Sequence, residues 1–290
     1  LALAAAWRLW PAPFALAFRA LDRRSGKLRS CFVDVGGDRW HVLEGGRGET
    51  LVLLHGFNAD ADHFNRVAPD LPGFGDTECA GAVDYRIESQ AEAVVAWMDR
   101  VGIQRCYLGG SSMGGYIATA IAARHPERIR ALWLLAPGGV EGVELSPLFQ
   151  EIAEERHNPL VIRNAGDFRR LIDFCFVHPP WIPSPLARFL AARSSARAVD
   201  HQRAFDALRF ESPTAEQIAD GLDVPALIVW GRSDQVLNPA GAQHLAERMK
   251  QAETLMLADT GHLPMLEHPR TVAESWIGYT ERLAREQEPG

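Results

Sequence analysis

Short apolar runs alternate with amphipathic segments along most of this chain. The run TLVLL, residues 50–54, is apolar throughout, as expected for a strand that is buried on both faces of a sheet. Before it, residues 30–44 read as two strands joined by a Gly-Gly-Asp turn. Strands that alternate with helices indicate an α/β fold, with a mostly parallel central sheet covered by helices. The predicted core strands are 50–54, 105–110, 129–135, 225–231 and 253–257, and the predicted helices are 87–101, 112–124, 239–249 and 269–286.

The alternation stops between Gly142 and Asp223. This stretch has helical periodicity but is rich in aromatic residues and prolines. Because it interrupts the strand series just after the strand 129–135, we expect an inserted helical cap over the sheet edge at which α/β proteins bind ligands. The alternative is a helical appendage with a core of its own. The predicted parts of the chain are 1–29 before the core, 30–141 and 224–290 as the two parts of the core, and 142–223 as the cap.

The first 18 residues, LALAAAWRLWPAPFALAF, carry Arg8 as their only charge, and a basic stretch follows them. An apolar segment that contains tryptophans and has a basic flank is typical of a membrane anchor. Arg8 and Pro11 interrupt the segment as a spanning helix. We therefore expect residues 1–29 to attach the protein to a membrane, and an amphipathic helix packed on the body and a signal peptide are the alternatives.

Charge and cysteine content exclude several classes of protein. The 290 residues have a formal net charge of −7, and no stretch of the body interleaves Lys and Arg with aromatic residues, so we expect no nucleic-acid partner. The 4 cysteines are widely spaced without a CxxC pair, so a disulfide framework is not implied. The sequence has no HExxH, GxGxxG, GKS or GKT motif, so we expect neither a metal ion nor an organic cofactor.

The strongest candidate for chemistry is GSSMG, residues 110–114, between a predicted strand and a predicted helix. A serine at such a junction is lifted out of the sheet, and the sharp turn requires small residues on both sides of it. Ser112 has glycine at both positions, whereas Ser111 would have Met113 at one of them. The N-terminus of the following helix also favours developing negative charge. We therefore predict that Ser112 is the nucleophile.

A serine becomes a strong nucleophile when a base, itself oriented by an acid, removes its proton. Where the serine occupies this kind of turn, the acid and then a histidine follow it in the chain. Asp234 and His262 lie in the loops that follow the last two predicted strands, so we predict them as acid and base. Asp259 is a rival acid, and His244 and His268 are rival bases that belong to predicted helices.

His55-Gly56-Phe57 follows the strand 50–54. Sites of this type stabilise an oxyanion with one backbone N–H after the nucleophile and one from this loop. We therefore predict that the N–H groups of Met113 and Phe57 form an oxyanion hole. We expect His55 to have a structural role in the loop.

The segments HGF, PDLPGFGD, GSSMGG, HPER, VWGRSDQV and GHLPMLEHP together resemble the α/β-hydrolase superfamily, over about residues 30 to 285. Within it, the chain is most similar to membrane-anchored monoacylglycerol lipases and to bacterial inner-membrane lipases or phospholipases A. SSMGG, PGGV, FVHPPWIPSPL and WGRSDQVL carry that similarity. The resemblance implies the α/β-hydrolase fold and an acyl-ester substrate. The interval between Arg66 and Val67 is shorter than in these relatives by roughly three helical turns, and either a deleted helix or a mobile segment omitted from the sequence accounts for it.

These features predict a serine carboxylic-ester hydrolase for lipid acyl esters, of the monoacylglycerol lipase, phospholipase A or lysophospholipase type. Phe176, Trp181 and Ile182 of the cap are the predicted substrate pocket. The same resemblance predicts attachment to a bacterial inner membrane, with the catalytic domain on its periplasmic or cytoplasmic side. An anchor helix can pair within a membrane, so a homodimer is one option for an oligomeric state that the sequence leaves open.

Two other functions stay open. A soluble-substrate carboxylesterase or a carbon–carbon bond hydrolase is favoured if cap arginines bind a substrate carboxylate. A non-catalytic binding protein with this fold requires a broken triad. The candidate arginines are Arg163, Arg169, Arg170 and Arg188.

Overall fold

The computed structural model describes residues 23–24, 26–63, 67–155 and 157–287. In chain order, its strands are β1 (Arg29–Val35), β2 (Asp38–Glu44), β3 (Leu51–Leu54), β4 (Ala68–Pro69), β5 (Cys106–Ser111), β6 (Ile129–Leu135), β7 (Ala226–Gly231) and β8 (Ala252–Leu257). Its helices are α1 (Ile87–Arg100), α2 (Met113–Arg124), α3 (Pro147–Glu155), α4 (Ala165–Cys175), α5 (Ser184–Ser195), α6 (Ala198–Phe210), α7 (Ala215–Ala219), α8 (Gly241–Ala246), α9 (Pro264–Glu267) and α10 (Pro269–Gln287).

In the described part of the chain, five strands form a parallel sheet in the order β3-β5-β6-β7-β8. Every residue of β7 is buried, and so is every residue of β6 except Arg130. Strands of this kind are apolar on both faces because helices cover both sides of a parallel sheet. The predicted α/β fold with a mostly parallel central sheet is confirmed.

A second group of strands, β1-β2-β4, is antiparallel and extends the sheet. Val67 joins the two groups, because it bridges Val52 in parallel and its carbonyl accepts the Leu53 N–H at 3.0 Å. The sequence did not predict β4. The strand has two residues, and one of them is Pro69, which has no N–H to donate to a neighbouring strand.

Helices cover the two faces of the sheet with different apolar clusters. On one face, α1 and α2 bury Trp97, Met98 and Ile117 against the strands. On the other face, α10 buries Val272, Trp276 and Tyr279, and the Trp276 ring stacks on Trp133 of β6 with centroids 5.2 Å apart. This double layer leaves the carboxyl edge of the strands as the place where loops meet.

One predicted helix is shorter in the structure than in the sequence analysis. The prediction was 239–249, whereas α8 covers Gly241–Ala246. The backbone beyond it bonds to the segment before β7, since Gly221 N–H donates to Arg248 O at 2.8 Å and Lys250 N–H donates to Leu222 O at 2.9 Å. The Arg248 and Met249 N–H groups bond three residues back, to Leu245 O and Ala246 O, so the regular helix ends here in tighter turns.

Between β6 and β7, helices α3 to α7 occupy the stretch for which the sequence predicts a cap. Helices α3, α4 and α5 bury a separate apolar cluster that contains Leu148, Leu171 and Ala191. The end of α6 and all of α7 instead join the main core through Ala207, Ala215 and Ala219. The insertion is therefore anchored in the core at its end. Its boundaries at 142 and 223 stay a prediction.

The membrane-anchor prediction for residues 1–29 concerns positions that lie mostly outside the described residues. Among the residues that are described, no helix combines the length and the apolar character needed to cross a membrane. The shortened interval near Arg66 also lies outside the description, which omits residues 64–66 and shows a short 3-10 turn at Ala61–His63 before them.

Candidate active site

Ser112 lies between β5 and α2 with φ 53° and ψ −117°. This backbone conformation costs an L-residue about 1–3 kcal/mol and persists only where the surroundings enforce it. The surroundings do so here, because a Cβ on Gly110 would overlap the backbone of Gly114, and a Cβ on Gly114 would overlap the Leu54 carbonyl. The two glycines therefore allow the strand and helix to approach closely, and Ser112 sits at the sharp turn between them.

Asp234 follows β7 and is 4% exposed. Its Oδ1 accepts backbone N–H groups from Val236 at 2.8 Å and Leu237 at 3.0 Å. Its Oδ2 accepts the Trp230 indole N–H at 2.9 Å and lies 2.8 Å from His262 Nδ1. A buried carboxylate requires such partners, because leaving it unpaired costs several kcal/mol. Both carboxylate oxygens are therefore held in one orientation.

His262 follows β8 and is also 4% exposed. A carboxylate can only accept, so His262 Nδ1 carries the hydrogen that Asp234 receives, and Nε2 is the nitrogen left to act as a base. The backbone N–H of His262 donates to the Cys175 carbonyl of the cap at 2.8 Å. Asp234 thus fixes the imidazole ring of His262, and Cys175 fixes its backbone.

The two predicted oxyanion donors belong to backbone segments next to Ser112. Met113 is the first residue of α2, and the first N–H groups of a helix have no intrahelical partner. Phe57 lies in the loop after β3, where a Cβ on Gly56 would come within 3.3 Å of Ser112 Cβ. The loop backbone therefore approaches the serine closely.

The rival residues take other places. His55 is fully buried, and its Nδ1 bonds to the Gly56 carbonyl while its Nε2 accepts the Leu71 N–H at 3.0 Å, so it holds the loop as expected.

The rival acid and bases lie in other contacts. Asp259 Oδ2 lies 3.1 Å from Nε2 of the exposed His178. His244 Nε2 lies 3.7 Å from Glu216 Oε1. His268 Nε2 lies 3.5 Å from the Asp259 carbonyl. Asp234 and His262 are hydrogen-bonded to each other, and His262 lines the same cavity as Ser112.

A cavity of about 1130 Å³ opens over Ser112, with the insertion as its roof. Ser112, His262, Phe57 and Met113 all line it, and most other lining side chains are apolar. Pockets for small ligands usually have 300–1,000 Å³. This cavity therefore has room for a large apolar ligand at the serine.

The three predicted pocket residues of the cap all line this cavity, at different depths. Phe176 is 9% exposed, whereas Trp181 is 87% exposed. Ile182 has intermediate burial. Phe176 therefore lies inside the cavity wall, and Trp181 lies where the cavity meets the outside.

Sequence reasoning missed two side chains at this site. The Trp230 indole donates a hydrogen bond to Asp234. The available signal in the sequence was a tryptophan on a predicted strand, four residues before the aspartate in the following loop. His201 of α6 lines the cavity and stacks on Phe74, with centroids 5.6 Å apart. Its ring also lies 5.6 Å from that of Phe57. No periodicity marks His201, since it reads as an ordinary helix residue.

His201 is buried, and its Nδ1 has no hydrogen-bond partner in the described part of the chain. Burial, reinforced by the nearby Arg197 charge, lowers the pKa of His201 to about 4. The imidazole is therefore neutral at physiological pH. A charged ring at this position would lose hydration without gaining a partner.

Among the described residues, His41, Asp70 and Asp76 are close enough together to be considered as a metal site. Their donor atoms already have partners, however. Asp70 Oδ2 lies 2.8 Å from His41 Nδ1 and accepts the Asp76 N–H at 2.6 Å, and Asp70 Oδ1 accepts the Ala61 N–H at 2.6 Å. Burial would raise the pKa of Asp70, but the His41 hydrogen bond, the nearby His55 and the Asp76 backbone hydrogen bond together outweigh it, and the net shift is downward. We interpret these three residues as a structural hydrogen-bonded cluster that stabilises the neighbouring loops.

Residues 42–269 match the family model described as the alpha/beta hydrolase fold. Lipase 3 of Moraxella sp. (strain TA144) is 33% identical over an alignment of 250 positions that covers 82% of this chain and 79% of that protein. Monoacylglycerol lipase abhd6-B of Xenopus laevis is 26% identical over an alignment of 307 positions, gaps included, that covers 98% of this chain and 91% of that protein.

Among solved structures, the crystal structure of a membrane phospholipase A, described as a novel bacterial virulence factor, superposes with a TM-score of 0.90. The two chains are 33% identical, and the match covers 98% of this chain and 95% of the other. The sequence-based expectation of this superfamily is confirmed.

The buried histidine makes stability depend on pH. His201 has a pKa near 6.5 when unfolded and about 4 when folded, so the unfolded chain binds more protons between these values. We expect this group to lower the free energy of unfolding as pH falls from 6.5 to 4, by at most about 3 kcal/mol, with no further loss below pH 4. His201→Phe should remove this part of the acid dependence in urea unfolding measured at several pH values, because the titrating imidazole is gone. Its Nδ1 has no hydrogen bond to lose in the described part of the chain.

The exposed His178 provides the matched control. His178→Phe should leave the difference between pH 6.5 and pH 4 close to that of the unchanged protein. An equal acid dependence in His201→Phe and the unchanged protein would contradict the assignment.

Proposed function

The chain belongs to the α/β-hydrolase family, and from this premise we propose that it is a serine carboxylic-ester hydrolase that cleaves lipid acyl esters. One observation carries the proposal. Ser112 at its strained turn and His262, bonded to buried Asp234, line the same large apolar cavity. A fold alone hosts many reactions, so the argument depends on these side chains.

The proposed reaction has two halves. His262 Nε2 takes the Ser112 proton as the Oγ attacks the ester carbonyl, and the Phe57 and Met113 N–H groups stabilise the oxyanion. The ester C–O bond then breaks, and the alcohol leaves with the proton from His262. Water, deprotonated by His262, attacks the acyl-serine and releases the fatty acid, and the proton returns to Ser112. Asp234 keeps the imidazole in the required tautomer.

The cavity supports a lipid substrate. Its volume and its largely apolar lining suit acyl chains, and Phe176, Trp181 and Ile182 form the part of the wall that we assign to them. The similar proteins include a lipase, a monoacylglycerol lipase and a membrane phospholipase A. We propose monoacylglycerols and phospholipids as the substrates to compare first.

The rival functions receive less support from the described residues. Arg163 and Arg170, two of the arginines considered for carboxylate binding, bond to the Val161 carbonyl and to Glu151. None of the four predicted arginines is among the residues that line the cavity in the described part of the chain. Three other arginines, Arg193, Arg197 and Arg209, do line it, and Arg193 and Arg209 are paired with Asp76 and Glu141. The carbon–carbon bond hydrolase therefore receives no support from the arginines on which it was predicted. A non-catalytic binding protein does not require the Asp234–His262 contact.

We also propose that residues 1–29 attach the enzyme to a bacterial inner membrane and that it pairs there as a homodimer. The apolar sequence and the similarity to a membrane phospholipase A support the attachment, and the ability of anchor helices to pair within a membrane is the argument for the homodimer. The full chain should float with lipid vesicles on a density gradient, and a chain that begins at Arg23 should not. Flotation of both chains would contradict attachment through this segment.

The nucleophile is tested by fatty-acid release from detergent-dispersed monoacylglycerol and phospholipid. Ser112→Ala should reduce kcat by about 10⁴-fold or more, because the acyl-serine cannot form. Ser111→Ala is the matched control, since the Ser111 Oγ is buried without a hydrogen-bond partner in the described residues and should be dispensable. Fatty-acid release that persists in Ser112→Ala, or hydrolysis of short soluble esters without either lipid, would contradict the proposal.

The pocket assignment is tested at Trp181. Trp181→Ala removes an aromatic contact worth about 1–2 kcal/mol, so kcat/KM for a long-chain ester should fall by roughly 5–30-fold. Hydrolysis of an acetyl ester should change less than about twofold, since a short acyl chain does not reach the mouth of the cavity. Phe210→Ala is the control, because Phe210 is 73% exposed and does not line the cavity. An equal loss on both esters would contradict the assignment.

A further inference from the structure

The insertion reaches the loop of the predicted oxyanion hole through Asn58, the residue after Phe57. Asn58 Oδ1 accepts a hydrogen bond from Ser194 Oγ at 2.7 Å, and Asn58 Nδ2 donates to the backbone carbonyl of Leu160. Ser194 belongs to α5, whereas Leu160 lies between α3 and α4. One amide side chain therefore joins two separate parts of the insertion to this loop.

The loop is held from two sides. Asn58 has φ 58°, a left-handed conformation that Asn adopts more readily than most residues. On the core side, His55 bonds to the Gly56 carbonyl at 2.8 Å and accepts the Leu71 N–H at 3.0 Å. The N–H of Phe57 lies between these attachment points. Its direction therefore depends on both the core contact at His55 and the cap contact at Asn58.

We propose that Asn58 is a positioning residue that couples the cap to the oxyanion hole. Its hydrogen bonds to Ser194 and Leu160 hold the Phe57 N–H in the direction that the tetrahedral intermediate requires. The inference rests on the proposed serine-hydrolase function. A misplacement of about 1 Å costs roughly 10²-fold in rate, and loss of one oxyanion donor costs about 10²–10³-fold in kcat.

The insertion is attached to the histidine loop as well. Glu267 Oε1 accepts the Gly261 N–H at 2.6 Å, and Glu267 Oε2 accepts the Val177 N–H at 2.9 Å. The His262 N–H donates to the Cys175 carbonyl at 2.8 Å. The cap thus contacts the loops that carry the base and the oxyanion donor, and displacement of the cap would disturb both.

A direct contact with substrate is the alternative role for Asn58, because it lines the cavity. The two roles differ in kinetics. A group that binds substrate equally well in the ground and transition states changes KM, whereas a group that holds an oxyanion donor changes kcat. A soluble short-chain ester separates these parameters, since its hydrolysis requires the oxyanion hole and little of the acyl pocket.

The decisive pair of variants is Ser194→Ala and Ser195→Ala, assayed on that ester beside the unchanged protein and Ser112→Ala. Ser194→Ala removes one of the two cap hydrogen bonds, and kcat should fall by roughly 5-fold, the effect of a single hydrogen bond of ordinary strength. Ser195 Oγ bonds within its own helix to Ala192 O at 3.1 Å, so Ser195→Ala should retain full kcat. KM should stay within about twofold in both variants.

Variants of Asn58 extend the test. Asn58→Gly removes both contacts and retains a residue that tolerates positive φ, so kcat should fall by about 10²-fold. Asn58→Asp keeps an acceptor for Ser194 but loses the donor to Leu160. Its kcat should therefore lie between that of the unchanged protein and that of Asn58→Gly. Adding Ser194→Ala to Asn58→Gly should have no further effect, because the shared contact is already absent. The thermal midpoint Tm of each variant is measured in parallel.

Several kinetic outcomes would overturn the coupling. They are unchanged kcat in Ser194→Ala and Asn58→Gly, a raised KM with kcat retained, and an equal loss in Ser195→Ala. A kcat loss that disappears below the Tm of the variant would also overturn it, since it would reflect unfolding. These outcomes leave the hydrolase function intact as long as the unchanged protein depends on Ser112. An unchanged protein with no Ser112-dependent hydrolysis would overturn the hydrolase function and the coupling together.

Discussion

The backbone of Ser112 has a positive φ, and the rest of the site is arranged around this one unfavourable conformation. The strain is of order 1–3 kcal/mol, and the buried contacts of β5 and α2 offset it. Gly110 and Gly114 allow the strand and the helix to approach so closely that no side chain fits between them. The turn lifts the hydroxyl above the carboxyl edge of the sheet and places it against the first N–H groups of α2.

The pairing of Asp234 with His262 depends on a second constraint, the burial of a carboxylate. Two backbone N–H groups and the Trp230 indole satisfy the carboxylate oxygens and leave one direction for the imidazole. The strands β7 and β8 are neighbours with their carboxyl ends at one edge, so the loops that follow them meet there. Parallel pairing therefore brings together two residues that are 28 positions apart in the chain.

The insertion contributes both the apolar roof of the cavity and part of the scaffold below it. Val177, Cys175, Leu160 and Ser194 all bond to loops at the carboxyl edge of the sheet. Nearer its start, Ser146 Oγ donates to the Val236 carbonyl at 2.7 Å, in the loop that carries Asp234. These contacts attach the insertion to the loops beneath it at several points. They are the physical basis of the proposed coupling between the cap and the oxyanion hole.

The sequence by itself determined the parallel sheet and the residues at its strand ends. Wholly apolar runs such as 50–54 and the GSSMG turn are local patterns, and local patterns report burial and backbone conformation. Together with the order of Asp234 and His262, they indicated the candidate site. The tertiary structure alone decided the short β4, the early end of α8, the indole contact of Trp230 and the cap contacts of Asn58. Each of these depends on a partner with no fixed spacing in the chain, and Asn58 meets Ser194 across 136 positions. Periodicity carries no information about such contacts, because packing chooses the partner only when the whole chain has folded.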